Sequence, residues 1–124
     1  VRHVHPWVTL LEKLEAISRR HSDNRVGAAR FVRHYEDAAR IVAARLDPPV
    51  GYTLASLVAE MRETTLGTVP GPGDPALNLT VSARWRELQT AYDSLDGLYW
   101  GSRQNLADCC TVLRDWLTAS GLES

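Results

Sequence analysis

The stretch that decides the fold is Ala28-Ala29-Arg30-Phe31-Val32-Arg33-His34-Tyr35-Glu36-Asp37-Ala38-Ala39-Arg40-Ile41-Val42-Ala43-Ala44-Arg45-Leu46. In it Ala28, Val32, Tyr35, Ala39, Val42 and Leu46 recur at spacings of 4, 3, 4, 3 and 4. Because about 3.6 residues complete a helical turn, this period lines up one face of an α-helix. Phe31 and Ala38 broaden that face. Ser22-Asp23 offers a cap upstream. Pro48-Pro49 stops the helix downstream, since a residue preceding proline avoids the helical region. The spacing predicts one helix of about 24 residues ending near Leu46, roughly 36 Å long.

The same period extends to both sides. Upstream, Trp7, Leu10, Leu14 and Ile17 form a stripe widened by Val8 and Leu11, with Pro6 suited to the first turn and an end near His21. Downstream, Thr53 can cap a shorter helix whose inward residues are Leu54, Leu57, Val58 and Met61. Leu66 to Thr80 then carries Pro70, Pro72, Pro75, Gly67, Gly71 and Gly73, a density of breakers that excludes a helix or a central strand. Asp74-Pro75 can start a single turn there, and the stretch is read as a connection or a partner-contacting loop.

The stripe resumes at Val81, Trp85, Leu88, Tyr92, Leu95 and Tyr99, and continues in phase through Leu106, Cys109, Leu113 and Trp116. Gly97 and Gly101 each cost about 1 kcal/mol inside a helix. The expectation is therefore a break, with Ser102 capping a further helix. The alternative is a single helix of about 39 residues, roughly 58 Å long. A compact domain of this size has a radius of gyration near roughly 14 Å, so such a helix would protrude and call for a partner chain. Residues 1–124 thus read as a single all-α domain, a bundle of four or five helices with one long Pro/Gly-rich loop over about 66–80. The chain starts at Val1, which suits a processed product or a piece of a longer protein.

Composition narrows the function classes. The net charge is −1, which argues against a polyanion binder driven by bulk charge. Residues 1–50 hold nine basic and six acidic side chains (+3), and residues 51–124 hold five and nine (−4). That asymmetry suits self-docking or an acidic partner for the first half. The longest apolar run, Ile41 to Ala44, falls far short of the roughly 20 residues that span a bilayer. The two cysteines, Cys109 and Cys110, are adjacent, so they resist pairing with each other and point to a reducing, cytoplasmic setting. The thirteen arginines stand against one lysine, Lys13, the bias of a GC-rich, bacterial-like coding sequence.

Three constellations merit attention. Arg30, Arg33 and His34 form the densest polar cluster, an alternative polar site for binding nucleic acid or for RNase-like chemistry. The competing reading is ordinary i,i+4 pairing, Glu36 with Arg40 and Arg33 with Asp37. Tyr99 and Trp100 are adjacent and cannot share a helix face, so one of them is expected at an interface; with Arg103 they form the candidate partner-binding site. Trp85, Tyr92 and Met61 offer the lining of a small-molecule pocket inside the bundle. His3 and His5, helped by His21 or Glu12, are the nearest approach to a metal site, but no Glu-x-x-His pair exists and no metal or cofactor is expected. The leading expectation is a non-catalytic module for protein–protein interaction or oligomerisation in a regulatory or signalling system. Its partner would be another protein or a second copy. The alternatives are an Arg-rich nucleic-acid-binding or RNase-like domain and a small-molecule-binding bundle.

Overall fold

The computed structural model describes residues 5–45, 47, 50–63, 69–78, 82–95 and 104–120. Among these there are five α-helices and no strand: α1 (Pro6–His21), α2 (Arg33–Ala43), α3 (Leu54–Arg62), α4 (Trp85–Asp93) and α5 (Leu106–Ser120). Two 3-10 turns, Ala28–Arg30 and Pro75–Leu77, complete the order.

α1 matches its expected span, with Pro6 in its first turn. His5 caps it, its Nδ1 accepting the Trp7 N–H at 3.1 Å. α3 starts where Thr53 directs it. The Thr53 hydroxyl accepts the Ser56 N–H while Ser56 Oγ accepts the Thr53 N–H, a reciprocal capping box.

The long helix expected from residue 22 to Leu46 does not form as one piece. Its first part is the 28–30 turn, and the α-helix occupies only Arg33–Ala43. The backbone there closes short i→i+3 turns, Asp23 N–H to Arg20 O and Val26 N–H to Asp23 O, and Gly27 is extended (ψ 147°), so no i→i+4 ladder runs through the stretch. The carbonyls of Arg20, His21, Asp23 and Val26 also turn toward the guanidinium of Arg84, which fastens this non-helical path from another element. At the other end Arg45 adopts the left-handed conformation, φ 51°, which terminates α2 short of the prolines. Leu46 lies outside the described residues.

The unbroken final helix is also overturned. α4 stops at Asp93, and Ser94 closes it by donating its N–H to Thr90 O and its hydroxyl to Ala91 O. The break therefore begins upstream of Gly97. The cap of α5 is Asn105 rather than Ser102: Asn105 Oδ1 accepts the Asp108 N–H at 2.8 Å. Ser102, Gly97 and Gly101 lie outside the described residues.

α2 is the centre of the bundle and packs against both α1 and α5. The core joins Leu10, Leu14 and Ile17 of α1, Tyr35, Ala38 and Ala39 of α2, and Cys109, Leu113 and Leu117 of α5. Trp7 and Trp116 meet edge to face at 6.0 Å, closing one end. The described part of the Pro/Gly-rich loop belongs to this core and is not a free connection. Ala76 and Leu77 are fully buried. The Tyr35 hydroxyl donates to Ala76 O at 2.6 Å, and Ser18 Oγ donates to Asp74 at 2.8 Å. From α5, Arg114 donates to Leu77 O and to Asn78 Oδ1. Four anchors explain how a segment rich in Pro and Gly keeps one conformation without regular structure.

Candidate functional site

Arg84 gathers four backbone carbonyls and a carboxylate, and no periodicity points to it. It lies just before α4, 9% exposed, with its guanidinium at 5.4 Å from the Phe31 ring centroid. Nη1 donates to Arg20 O, His21 O and Asp23 O at 3.1–3.3 Å, and Nη2 donates to Val26 O. Nε and Nη2 form a two-pronged pair with Glu87, each at 2.9 Å. Glu87 in turn accepts the Ala28 N–H at 2.8 Å, capping the 28–30 turn from another element. Ser82 Oγ accepts the Arg84 N–H and lies 2.7 Å from His21 Nε2. The chain His21–Ser82–Arg84–Glu87–Ala28 fastens the α1–α2 connection to the start of α4. Hydrogen bonds from Arg84 and from the Ala28 N–H hold the Glu87 carboxyl below its ordinary range.

This fastening shapes a groove. Gly27, Ala28 and Ala29 form one wall and Arg86, Glu87, Thr90, Ala91 and Ser94 the other, around about 550 Å3 of open space. Six of those eight residues are small, so a partner backbone can approach closely. Trp85, next in sequence to the lining residue Arg86, is 43% exposed, with the Arg86 guanidinium at 5.5 Å from its ring centroid. Trp85 was expected inside with Tyr92 and Met61. It sits at the surface instead, while Tyr92 and Met61 are packed in the core, so the three do not enclose the expected ligand pocket. The Tyr92 hydroxyl is committed to Gln104 O at 2.6 Å.

The Arg30, Arg33 and His34 cluster is only partly assembled. Arg20 of α1, which the spacing argument left out, joins it: Arg20 Nη1 lies 3.2 Å from His34 Nε2 and 3.4 Å from Arg30 O. An arginine can only donate, so His34 Nε2 accepts and the imidazole is neutral, its proton on Nδ1. That Nδ1 is buried and has no partner. Arg33 is exposed, and Asp37 pairs with Lys13 at 3.3 Å rather than with Arg33. Glu36 and Arg40 pair as the spacing predicts, at 3.4 Å. Tyr99, Trp100 and Arg103 lie outside the described residues. So does His3. His5 and His21 are engaged as a cap and with Ser82, and among the described residues no three His, Cys, Asp or Glu side chains are grouped to hold a metal. Cys109 and Cys110 form no disulfide and are buried, and burial pushes the Cys110 thiol up to about 12, which keeps it protonated and unreactive.

Two histidines set a pH dependence. Burial lowers His34 below 6.5, helped by Lys13 and Arg20 and opposed by Asp37. Burial also lowers His21, helped by Arg84 and opposed by Asp74 and Glu87. The unfolded chain then binds more protons, so stability is complete above about pH 7 and declines as pH falls through the unfolded value. Denaturant midpoints should drop between about pH 7.5 and 5.5, and His34→Gln should flatten the slope; a midpoint that holds or rises over this window contradicts the assignment. The carboxylates depressed here, Asp23 and Glu87, start from lower values and titrate below it.

No protein-family model, curated protein or solved structure matches this chain. No helix among the described residues is long and apolar enough to cross a membrane.

Proposed function

We propose that the chain is a helical protein–protein interaction module and that its groove between the 28–30 turn and α4 takes an amphipathic, acid-bearing segment of a partner protein. The observation that carries this reading is the small-walled groove lined by Arg86, whose guanidinium lies over the exposed ring of Trp85. An exposed tryptophan is a favoured anchor, and alanine-sized walls admit a helix closely. Charge favours an acidic occupant. Glu87 is already neutralised by Arg84, whereas Arg86 has no carboxylate partner among the described residues. Tyr99, Trp100 and Arg103, which lie outside the described residues, are proposed as further partner-binding residues. Cysteines that form no disulfide suit a reducing, cytoplasmic setting and a regulatory or signalling assembly.

A photo-crosslinker at Thr90 tests the reading. It should capture one reproducible partner, and Ala91→Arg, which fills the groove, should abolish capture. Capture indifferent to Ala91→Arg contradicts the groove. A dimer in sedimentation equilibrium, lost in Ala91→Arg, reassigns the partner to a second copy of this chain.

A further inference from the structure

We propose that Arg20 and Arg30 form a pocket for a single phosphate dianion, distinct from the docking groove. A cavity of about 390 Å3 opens between Arg20, Val26 and Arg30. Ligand pockets run from about 300 to 1,000 Å3, so a phosphate with a small substituent fits.

The case rests on unpaired charge. Four of the six carboxylates in residues 1–50 are engaged by other cations, Glu15 by Arg19, Asp23 by Arg25, Glu36 by Arg40 and Asp37 by Lys13, and the remaining two, Glu12 and Asp47, do not line the cavity. Among the described residues none pairs with Arg20 or Arg30. A guanidinium carries five N–H donors. Among the described residues Arg20 directs only Nη1 to the protein, at Arg30 O and His34 Nε2, which leaves Nε and Nη2 without an acceptor among them. Those two contacts also hold its planar fork in place, so neutral His34 acts as a positioning residue. Among the described residues the Arg30 side chain donates to no protein group, while its carbonyl is tied to Arg20. Two cations on one cavity repel until an anion lies between them. A fork of this kind suits two-pronged contact with phosphate oxygens. Two guanidiniums match the −1.5 to −2 charge that a phosphate monoester carries near pH 7.

A compact dianion fits better than a nucleic-acid backbone. A backbone track needs a run of cations, and here Asp23, Glu36 and Asp37 intervene. Arg33 does not line the cavity, which makes it the control.

The full chain is titrated by amide NMR with inorganic phosphate, with a nucleoside 5′-monophosphate and with a single-stranded RNA lacking terminal phosphate. Saturable shifts should centre on residues 20–34 for the first two probes. Arg20→Met and Arg30→Met should each weaken binding about tenfold or more, and Arg33→Ala should leave it within about twofold. Arg30→Met guards against misfolding, because that side chain bonds to none of the described residues; helical circular dichroism checks both variants. Tighter binding of the monophosphate than of phosphate assigns a small phosphorylated metabolite, and equal binding assigns free phosphate. Absence of saturable binding, equal losses in all three variants, or tightest binding of the RNA overturns the proposal.

Discussion

Arg84→Met is expected to lower the unfolding free energy by about 1–3 kcal/mol, because it removes the shared donor of a part-buried network and leaves its acceptors unpaired. Methionine fills much of the same space and can still lie against Phe31, so packing is largely kept. What disappears is the donor set. The carbonyls of Arg20, His21, Asp23 and Val26 lose their shared partner, and Glu87 loses its counter-ion. A buried polar group left unpaired costs about 1–3 kcal/mol. Lysine does not rescue the loss, since one ammonium with three donors cannot reproduce a planar fork with five. The denaturant midpoint reads the effect, with Arg86→Met as the surface control, expected within about 0.5 kcal/mol of the parent. A loss below about 1 kcal/mol for Arg84→Met would mean that the network is decoration on a bundle held by its apolar core alone.

Leu77→Ala should cost about 2–5 kcal/mol, the range for truncating a fully buried leucine. Its position makes the result informative. It sits in the Pro/Gly-rich loop, at 0% exposure, between the Tyr35 hydroxyl bond to Ala76 and the Arg114 bonds to Leu77 O and Asn78. If residues 69–78 are a layer of the core, the cavity is paid for by the whole fold and the midpoint falls accordingly. If they only connect α3 to α4, the substitution is a surface change and stays within about 0.5 kcal/mol. Unfolding followed by tryptophan fluorescence separates the two outcomes.

These two residues also mark where the sequence could be read and where it could not. The stripes of α1, α3 and α5 were legible because each buries an apolar face against its neighbours, and burial writes itself into spacing. The caps at Thr53 and the turn at Asp74-Pro75 were legible for a local reason: their side chains bond within three residues. The break at residues 22–32 was not, because the side chain that fastens its turned backbone is Arg84, some sixty positions away. An arginine and a glutamate three apart at the head of α4 give the only local hint, and many exposed helices share it. The same reason hid Arg20. It meets His34 by the packing of α1 on α2, so a search confined to the stretch around His34 found Arg30 and Arg33 and missed the cation that touches the ring. Trp85 misled for the opposite reason. It keeps the phase of the α4 stripe, yet stands at the very start of the helix, where the core has already ended.

One physical arrangement underlies both surfaces proposed here. The 28–30 turn supplies Ala28 and Ala29 to the groove and Arg30 to the cation pocket. It is too short to hold its own shape, with a single helical turn and no helix to extend. The Glu87 carboxylate on Ala28 and the Arg84 guanidinium on the preceding carbonyls fix it instead. A rigid wall lowers the ordering cost of binding, which is why a preformed groove binds more tightly than a floppy one of equal area.

Hydrogen exchange at the Ala28 amide tests this arrangement most directly. With its N–H donated to Glu87 at 2.8 Å, Ala28 should exchange at least about a thousandfold more slowly than an unstructured amide, and Arg84→Met should erase most of that protection. An Ala28 amide that exchanges at the unstructured rate in the parent protein, while the amides of α2 and α5 remain protected, would contradict the account.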